Sequence, residues 1–215
     1  MVLLLIAGFL LILLGYIVYI RPWIMRMGAT DEEIQMPMPG DELMSYSNQT
    51  YTQAITINAP PELVWAYLVQ VGCRRAGWYN WDFINGMSAK DYFYENGRSA
   101  NRVIPELQKL QQGDKIYLTP QINMDVHELL EKQLLVLTGE EDGRFVVVWT
   151  YMLKEIDENK TRLIVRWTSA LGEGIIVTLI NKLIVEPGGV GIQQPLMLRG
   201  IRKRAEEDLL RKTTI

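Results

Sequence analysis

Phe145-Val146-Val147-Val148-Trp149-Thr150-Tyr151-Met152-Leu153-Lys154-Glu155-Ile156, then Asp157-Glu158-Asn159-Lys160, then Thr161-Arg162-Leu163-Ile164-Val165-Arg166-Trp167-Thr168 is the stretch that decides the architecture. Both long runs are rich in β-branched and aromatic residues, and four polar residues separate them, so the pattern predicts an antiparallel strand pair joined by a turn. Side chains alternate faces along a strand, which puts Leu163, Val165 and Trp167 on one side and Arg162 and Arg166 on the other. Such a strand is half buried, with its second face toward water. In the first run Trp149 and Tyr151 share a face in the same way.

Upstream, residues 125–130 and 133–138 fit one amphipathic helix or a hairpin around Glu131-Lys132, and the hairpin is the preferred reading. A turn at Gln112-Gly113-Asp114 precedes a short strand over 115–119, which Pro120 closes. Residues 73–110 keep no sustained period and predict loops and short helices. Residues 51–57 alternate as a strand, and a helix follows with Asn58 as candidate cap, Pro60 and Pro61 in its first turn, and Val64, Leu68 and Val71 at helical spacing. Downstream, residues 175–185 are apolar but only 11 long, too short to cross a bilayer, and predict a core or surface helix. After Pro187-Gly188-Gly189, residues 195–211 read as a helix with Leu198, Ile201, Ala205 and Leu209 on one stripe. Strand, helix, irregular insert, antiparallel strands and a long last helix make an α+β fold in which a curved sheet grips a helix, with a cavity between them.

The whole chain of 215 residues is 48% hydrophobic and 22% charged, which excludes a disordered or low-complexity protein. A net charge of −3 excludes the concentrated positive field that nucleic acid requires. One cysteine, Cys73, allows no internal disulfide. Residues 2–20 carry no charge and match the length of a membrane-spanning helix. No Lys or Arg precedes the run and no small-x-small site follows it, so a spanning anchor over 1–22 is expected rather than a cleaved signal. Tyr16, Tyr19 and Trp23 suit the headgroup layer, and Arg21 and Arg26 place the domain in the cytoplasm by the positive-inside rule. Residues 23–50, with Pro37, Pro39 and Gly40, read as an extended connector, leaving 51–215 as one domain.

Several stretches resemble the SRPBCC superfamily, whose START-like helix-grip fold includes polyketide cyclase/dehydrases, lipid-transfer domains and birch-pollen-allergen-like proteins. They are Arg21-Pro22-Trp23, Gly28-Ala29-Thr30-Asp31-Glu32-Glu33, Pro39-Gly40-Asp41-Glu42-Leu43, Ala54-Ile55-Thr56-Ile57 with Ala59-Pro60-Pro61-Glu62, Val64-Trp65, Leu68-Val69-Gln70, Arg75-Ala76-Gly77-Trp78-Tyr79, Asn101-Arg102-Val103-Ile104-Pro105-Glu106 and Gly113-Asp114. The similarity is to a membrane-anchored branch of that superfamily. It departs at Ala66-Tyr67, where related sequences often carry a proline and a tryptophan. It implies a helix-grip fold with inward strand positions lining a cavity, and implies no particular reaction.

Gly77-Trp78-Tyr79-Asn80-Trp81-Asp82-Phe83 is the most unusual local stretch, and its rings suit either a pocket mouth or core packing. Asp82 fits an acid–base role if desolvated, or a structural hydrogen bond. His127 is the only histidine; on a regular strand it shares a face with Asp125 and Leu129, lining the cavity or meeting water. Trp149, Tyr151 and Trp167 complete the candidate ligand-binding set of Trp78, Tyr79, Trp81, Asp82, His127, Trp149, Tyr151 and Trp167. Cys73 beside Arg74 and Arg75 lacks a nucleophile's partners, and the basic run of the last helix is interleaved with acids. No metal motif and no cofactor fingerprint is present, so neither is expected. Three functions remain: a membrane-anchored module binding a lipid or other hydrophobic small molecule, a cyclase/dehydratase-like enzyme on a hydrophobic substrate, and an assembly protein with a filled cavity.

Overall fold

Strand alternation sorts the side chains of this molecule into two faces, and the inner face and part of the outer face are covered. The computed structural model describes residues 1–47, 49–80, 97–170, 174–185 and 187–213. Strands β1 (Gln49–Ile57), β2 (Lys115–Tyr117), β3 (Asn123–Leu130), β4 (Leu134–Glu141), β5 (Arg144–Asp157) and β6 (Lys160–Ser169) form one antiparallel, curved sheet in the order β1-β6-β5-β4-β3-β2. The β5–β6 hairpin lies in the sheet's interior, between β1 and β4, with Trp149 directly opposite Trp167 and Tyr151 opposite Val165. The expected hairpin over 125–138 is present as β3 and β4.

Against the inner face lie a short helix (Pro61–Leu68) and the long C-terminal helix (Ile192–Thr213). Leu198, Ile201 and Ala205 of the latter meet Tyr51, Ile57, Tyr151, Leu163 and Val165 in one apolar core, and Leu209 packs at its edge. Each fully buried aliphatic side chain here contributes roughly 1.5–3 kcal/mol. The result is the α+β helix-grip arrangement that the strand order predicts. The C-terminal helix starts earlier than expected, at Ile192, directly after a helical turn (Pro187–Gly191), so Pro195 lies inside it rather than at its start. Asn58 does not cap the first inner helix. Pro60 occupies the N-cap, and Asn58 instead donates its backbone N–H and its Nδ2 to Glu206 Oε1 at 2.9 and 3.1 Å, fastening β1's end to the C-terminal helix.

The outer face does not meet water at β6, contrary to the alternation argument taken alone. Residues from the connector region form a helical turn (Asp31–Gln35), capped by Thr30 and Glu33 in a reciprocal capping box, and a 3₁₀ turn (Asp41–Met44). Met38 packs on Ala54 and Ile164, and Met44 packs on Leu134, Val136 and Val148. Arg166, only 5% exposed, donates to Thr52 Oγ1, to the carbonyls of Met36, Glu33 and Ile34, and to Asp41 Oδ2 at 2.6 Å. Arg162 grips Glu33 through two hydrogen bonds of 2.7 Å. Burial would raise the Glu33 carboxyl, but the bonds from Arg162 and the Thr30 N–H outweigh it and hold Glu33 below the usual carboxylate range.

Before this cover runs a helix whose stretch Leu4–Met25 is long and apolar enough to cross a membrane. Leu4, Leu5, Phe9, Leu11 and Ile12 all stand exposed, whereas Ile24 at its end is buried in the main core.

Replacing Arg166 with alanine removes the donors that hold the outer cover and leaves buried acceptors behind. Arg166→Ala is expected to lower stability by about 3 kcal/mol and to open residues 31–44 to protease, read by denaturant melts and limited proteolysis. An unchanged midpoint with intact protection contradicts the assignment.

Candidate functional site

The inner face of the β5–β6 hairpin carries indoles rather than aliphatic groups at one end, and there the C-terminal helix does not close the gap. A cavity of about 150 Å³ remains, lined by Trp78, Asn80, Leu118, Trp149, Trp167, Gly189, Val190, Gln193, Gln194 and Met197. Two of the indoles arrive through strand pairing: Trp149 and Trp167 are cross-strand partners and meet edge to face, centroids 5.2 Å apart. The third arrives on the loop after the first inner helix, where Trp78 stacks on Trp149 at 5.6 Å and 17°.

The loop is held in place by close backbone approaches. Gly77 has φ +84°, and a Cβ there would come within 2.5 Å of Ser99 Oγ. Tyr79 adopts φ +58°, a conformation uncommon for a non-glycine residue. It is over-determined by its contacts. Its N–H donates to Ser99 Oγ at 3.0 Å, its hydroxyl accepts from Gln70 Nε2 at 2.6 Å, and the Arg204 guanidinium lies 4.3 Å over its ring. Gly200 of the C-terminal helix passes so near that a Cβ would stand 2.1 Å from the Tyr79 carbonyl oxygen. At the cavity's edge Asn80 Nδ2 donates to Gln193 Oε1 at 3.2 Å.

Several polar groups of the wall are paired. Trp149 Nε1 donates to Gln194 Oε1 at 2.7 Å, Gln194 Nε2 donates to Gln53 Oε1 at 2.9 Å, and Gln53 Nε2 donates to the carbonyls of Ile24 at 2.6 Å and Gly191 at 3.0 Å. Trp78 Nε1 donates to the Leu118 carbonyl at 3.2 Å. The indole N–H of Trp167 is buried and finds no acceptor among the described residues. An unpaired buried donor costs about 1–3 kcal/mol.

Of the residues singled out in the sequence, the structure brings Trp78, Trp149 and Trp167 together on the cavity wall. Tyr151 lies one pair further along, fully buried, its ring 5.1 Å from Trp149 and its hydroxyl against Met197 Sδ. Tyr79 stands in the core behind Trp78, beside Tyr67. Burial pushes the Tyr79 and Tyr151 phenols well above their ordinary range and Tyr67 up to about 12. All three are therefore neutral near pH 7 and unsuited to act as bases. Trp81 and Asp82 lie outside the described residues. His127 is elsewhere: a bulge between Val126 and Glu128 breaks the alternation, so Val126 and Leu129 both face the main core while His127 packs edge-on against Phe145, which adjoins the outer cluster. Cys73 is buried, and burial raises its thiol despite Arg74. Among the described residues no group of three His, Cys, Asp or Glu side chains is placed to hold a metal.

Sequence reasoning missed Gln53, Leu118, Gln194 and Met197. A signal for the first was present, since Gln53 falls on the inward register of β1 between Tyr51 and Ile55.

No family model matches the chain, and no curated protein matches it. Solved structures that it is similar to include a polyketide-cyclase-like protein from Corynebacterium glutamicum, 15% identical over 74% of this chain and 93% of that one, with a TM-score of 0.44. Another is an aromatase/cyclase from a Streptomyces species, 12% identical over 75% and 95%, TM-score 0.44. A third is a self-sacrificing resistance protein from Micromonospora echinospora, 14% identical over 75% and 96%, TM-score 0.43.

The close approach of Gly200 to Tyr79 gives a sharp test of the loop's anchoring. Gly200→Ala is expected to cost at least about 2 kcal/mol and to disturb Trp78 emission, whereas Gly188→Ala, with open space around it, should be near neutral by the same denaturant melts. Equal effects at the two sites contradict the packing.

Proposed function

We propose that this chain is a membrane-anchored binding module that holds a hydrophobic ring or chain end of a lipid or other small molecule between Trp78, Trp149 and Trp167. The observation that carries this reading is the indole-walled cavity itself. Its walls are flat, apolar and held in place by buried hydrogen bonds, so they need little ordering on binding. A volume near 150 Å³ is below the range of whole drug-sized ligands, so the cavity takes one ring-sized or chain-end portion of the ligand. The unpartnered Trp167 N–H favours a portion that carries an acceptor, such as a carbonyl or hydroxyl oxygen.

The apolar helix Leu4–Met25 supports anchoring in a bilayer, which keeps the cavity near a lipid-soluble ligand. Arg21 and Arg26 at its end favour the cytoplasmic side for the domain by the positive-inside rule, and protease protection in sealed membrane vesicles reads that out. The cyclase/dehydratase reading needs a proton donor or acceptor at the ligand, and no described wall residue titrates near neutral pH. That reading rests on Asp82, and turnover lost in Asp82→Asn would favour it over simple binding.

The detergent-solubilised full chain is titrated with 1-indanone and with decanoic acid while tryptophan emission is followed. Saturable quenching is expected, abolished by Val190→Trp, which fills the cavity. Trp167→Phe keeps a ring and removes the donor, so it should weaken the ketone about 5-fold. Emission that responds equally in the filled variant overturns the assignment of the cavity.

A further inference from the structure

Among the described residues, 175–185 carry the densest run of exposed large aliphatic side chains outside the N-terminal helix. They comprise a short helix (Ile175–Ile180) and a wider turn (Asn181–Val185). Ile175 and Ile176 are 81% and 73% exposed, and Leu179, Ile180, Ile184 and Val185 are exposed as well. A soluble surface rarely leaves so many contiguous large aliphatic groups in water.

The position of this element names what covers it. Tyr16 Oη donates to the Leu183 carbonyl at 2.7 Å, and Leu179 and Leu183 share a cleft with Ile17, Arg21 and Met25 of the N-terminal helix. Tyr16 lies five residues before Arg21, the first charged side chain, across a π-helical stretch (Tyr16–Ile20) that rises less per residue than the α-helical 1.5 Å, so it sits at most roughly 7.5 Å toward the bilayer centre. Interfacial helices sit about 5–10 Å into the boundary between headgroups and acyl chains. The bond from Tyr16 also satisfies a backbone carbonyl at a depth where water is scarce.

We infer that residues 175–185 are a second membrane element, inserted side-on into the same leaflet as the C-terminal end of the spanning helix, with the lipid acyl chains as partner. The inference rests on the reading of Leu4–Met25 as a span. It carries a consequence for the cavity. Gly189, Val190 and Gln193, which line it, follow this element directly in the chain, so the cavity's rim lies next to the lipid and its ligand is drawn from the bilayer rather than from water.

Spin labels on single cysteines in the full chain, reconstituted in phosphatidylcholine–phosphatidylglycerol nanodiscs, test this, with buried Cys73 left in place. Ile176→Cys and Ile180→Cys are compared with Leu10→Cys as the lipid reference and Asp142→Cys, on an exposed turn, as the water reference. Collisions with oxygen should exceed those with a nickel chelate at 176 and 180, as at 10, and the order should reverse at 142. Labels at 176 and 180 that behave like 142 while 10 remains in lipid overturn the insertion and leave the anchor standing. A label at 10 that behaves like 142 overturns the anchor and the inference with it. Shielding of 176 and 180 from both reagents means that protein, such as a second copy of the chain, covers the face, and overturns the lipid assignment.

Discussion

A single buried chain of hydrogen bonds, from Trp149 through Gln194 and Gln53 to the Ile24 carbonyl, ties together parts that are far apart in sequence. It joins the cavity wall on β5, the start of the C-terminal helix, the first strand and the end of the N-terminal helix. Gln53 and Gln194 are 0% and 2% exposed, so every amide hydrogen and oxygen that lost a partner would stay unpaired in a low dielectric. That cost fixes the position of the C-terminal helix over the sheet at the end where apolar packing stops. The cavity follows from this: the helix is held by amides at its first turn and by Leu198, Ile201 and Ala205 further on, and the indoles between are left facing a gap.

Much of the architecture was legible because it rests on local periodicity. Alternation in residues 145–168 placed Trp149, Tyr151, Leu163, Val165 and Trp167 inward, and the structure keeps all of them in one core. The stripe of the last helix held for the same reason. What stayed hidden depends on contacts between distant segments. Arg162 and Arg166 read as solvent-facing because alternation says which face a residue takes, not what covers that face; the cover is a series of short turns whose apolar residues, Met38 and Met44, show no period. His127 does not share a face with Leu129, because of one inserted residue at the bulge that no pattern in residues 123–130 reveals.

The site was legible in part. Its three indoles stood out by type and register, yet neighbours in the aromatic stretch part ways: Trp78 faces the cavity and Tyr79 turns into the core, where the chain takes a positive φ at Gly77 and Tyr79 and the Tyr79 N–H donates to Ser99 Oγ. The glutamines were passed over since glutamine in a strand or helix usually marks a surface. Gln194 sits four residues before Leu198, on the helix's inward stripe, and Gln53 sits on β1's inward register, so both were readable once that register was trusted.

The same physical chemistry links the cavity to the proposed membrane contact. The amide chain ends at Ile24, where the exposed apolar helix becomes buried, and the cavity's rim follows the apolar element beside Tyr16. The account therefore requires that the cavity be filled, in the cell, by a molecule that partitions into lipid. Native mass spectrometry of the full chain, isolated with its surrounding lipid and then stripped of loosely held detergent, is the most direct test. The account predicts one stoichiometric apolar molecule that stays bound in the native protein and is absent from Val190→Trp. A bare mass for both proteins, or the same adduct on both, would contradict it.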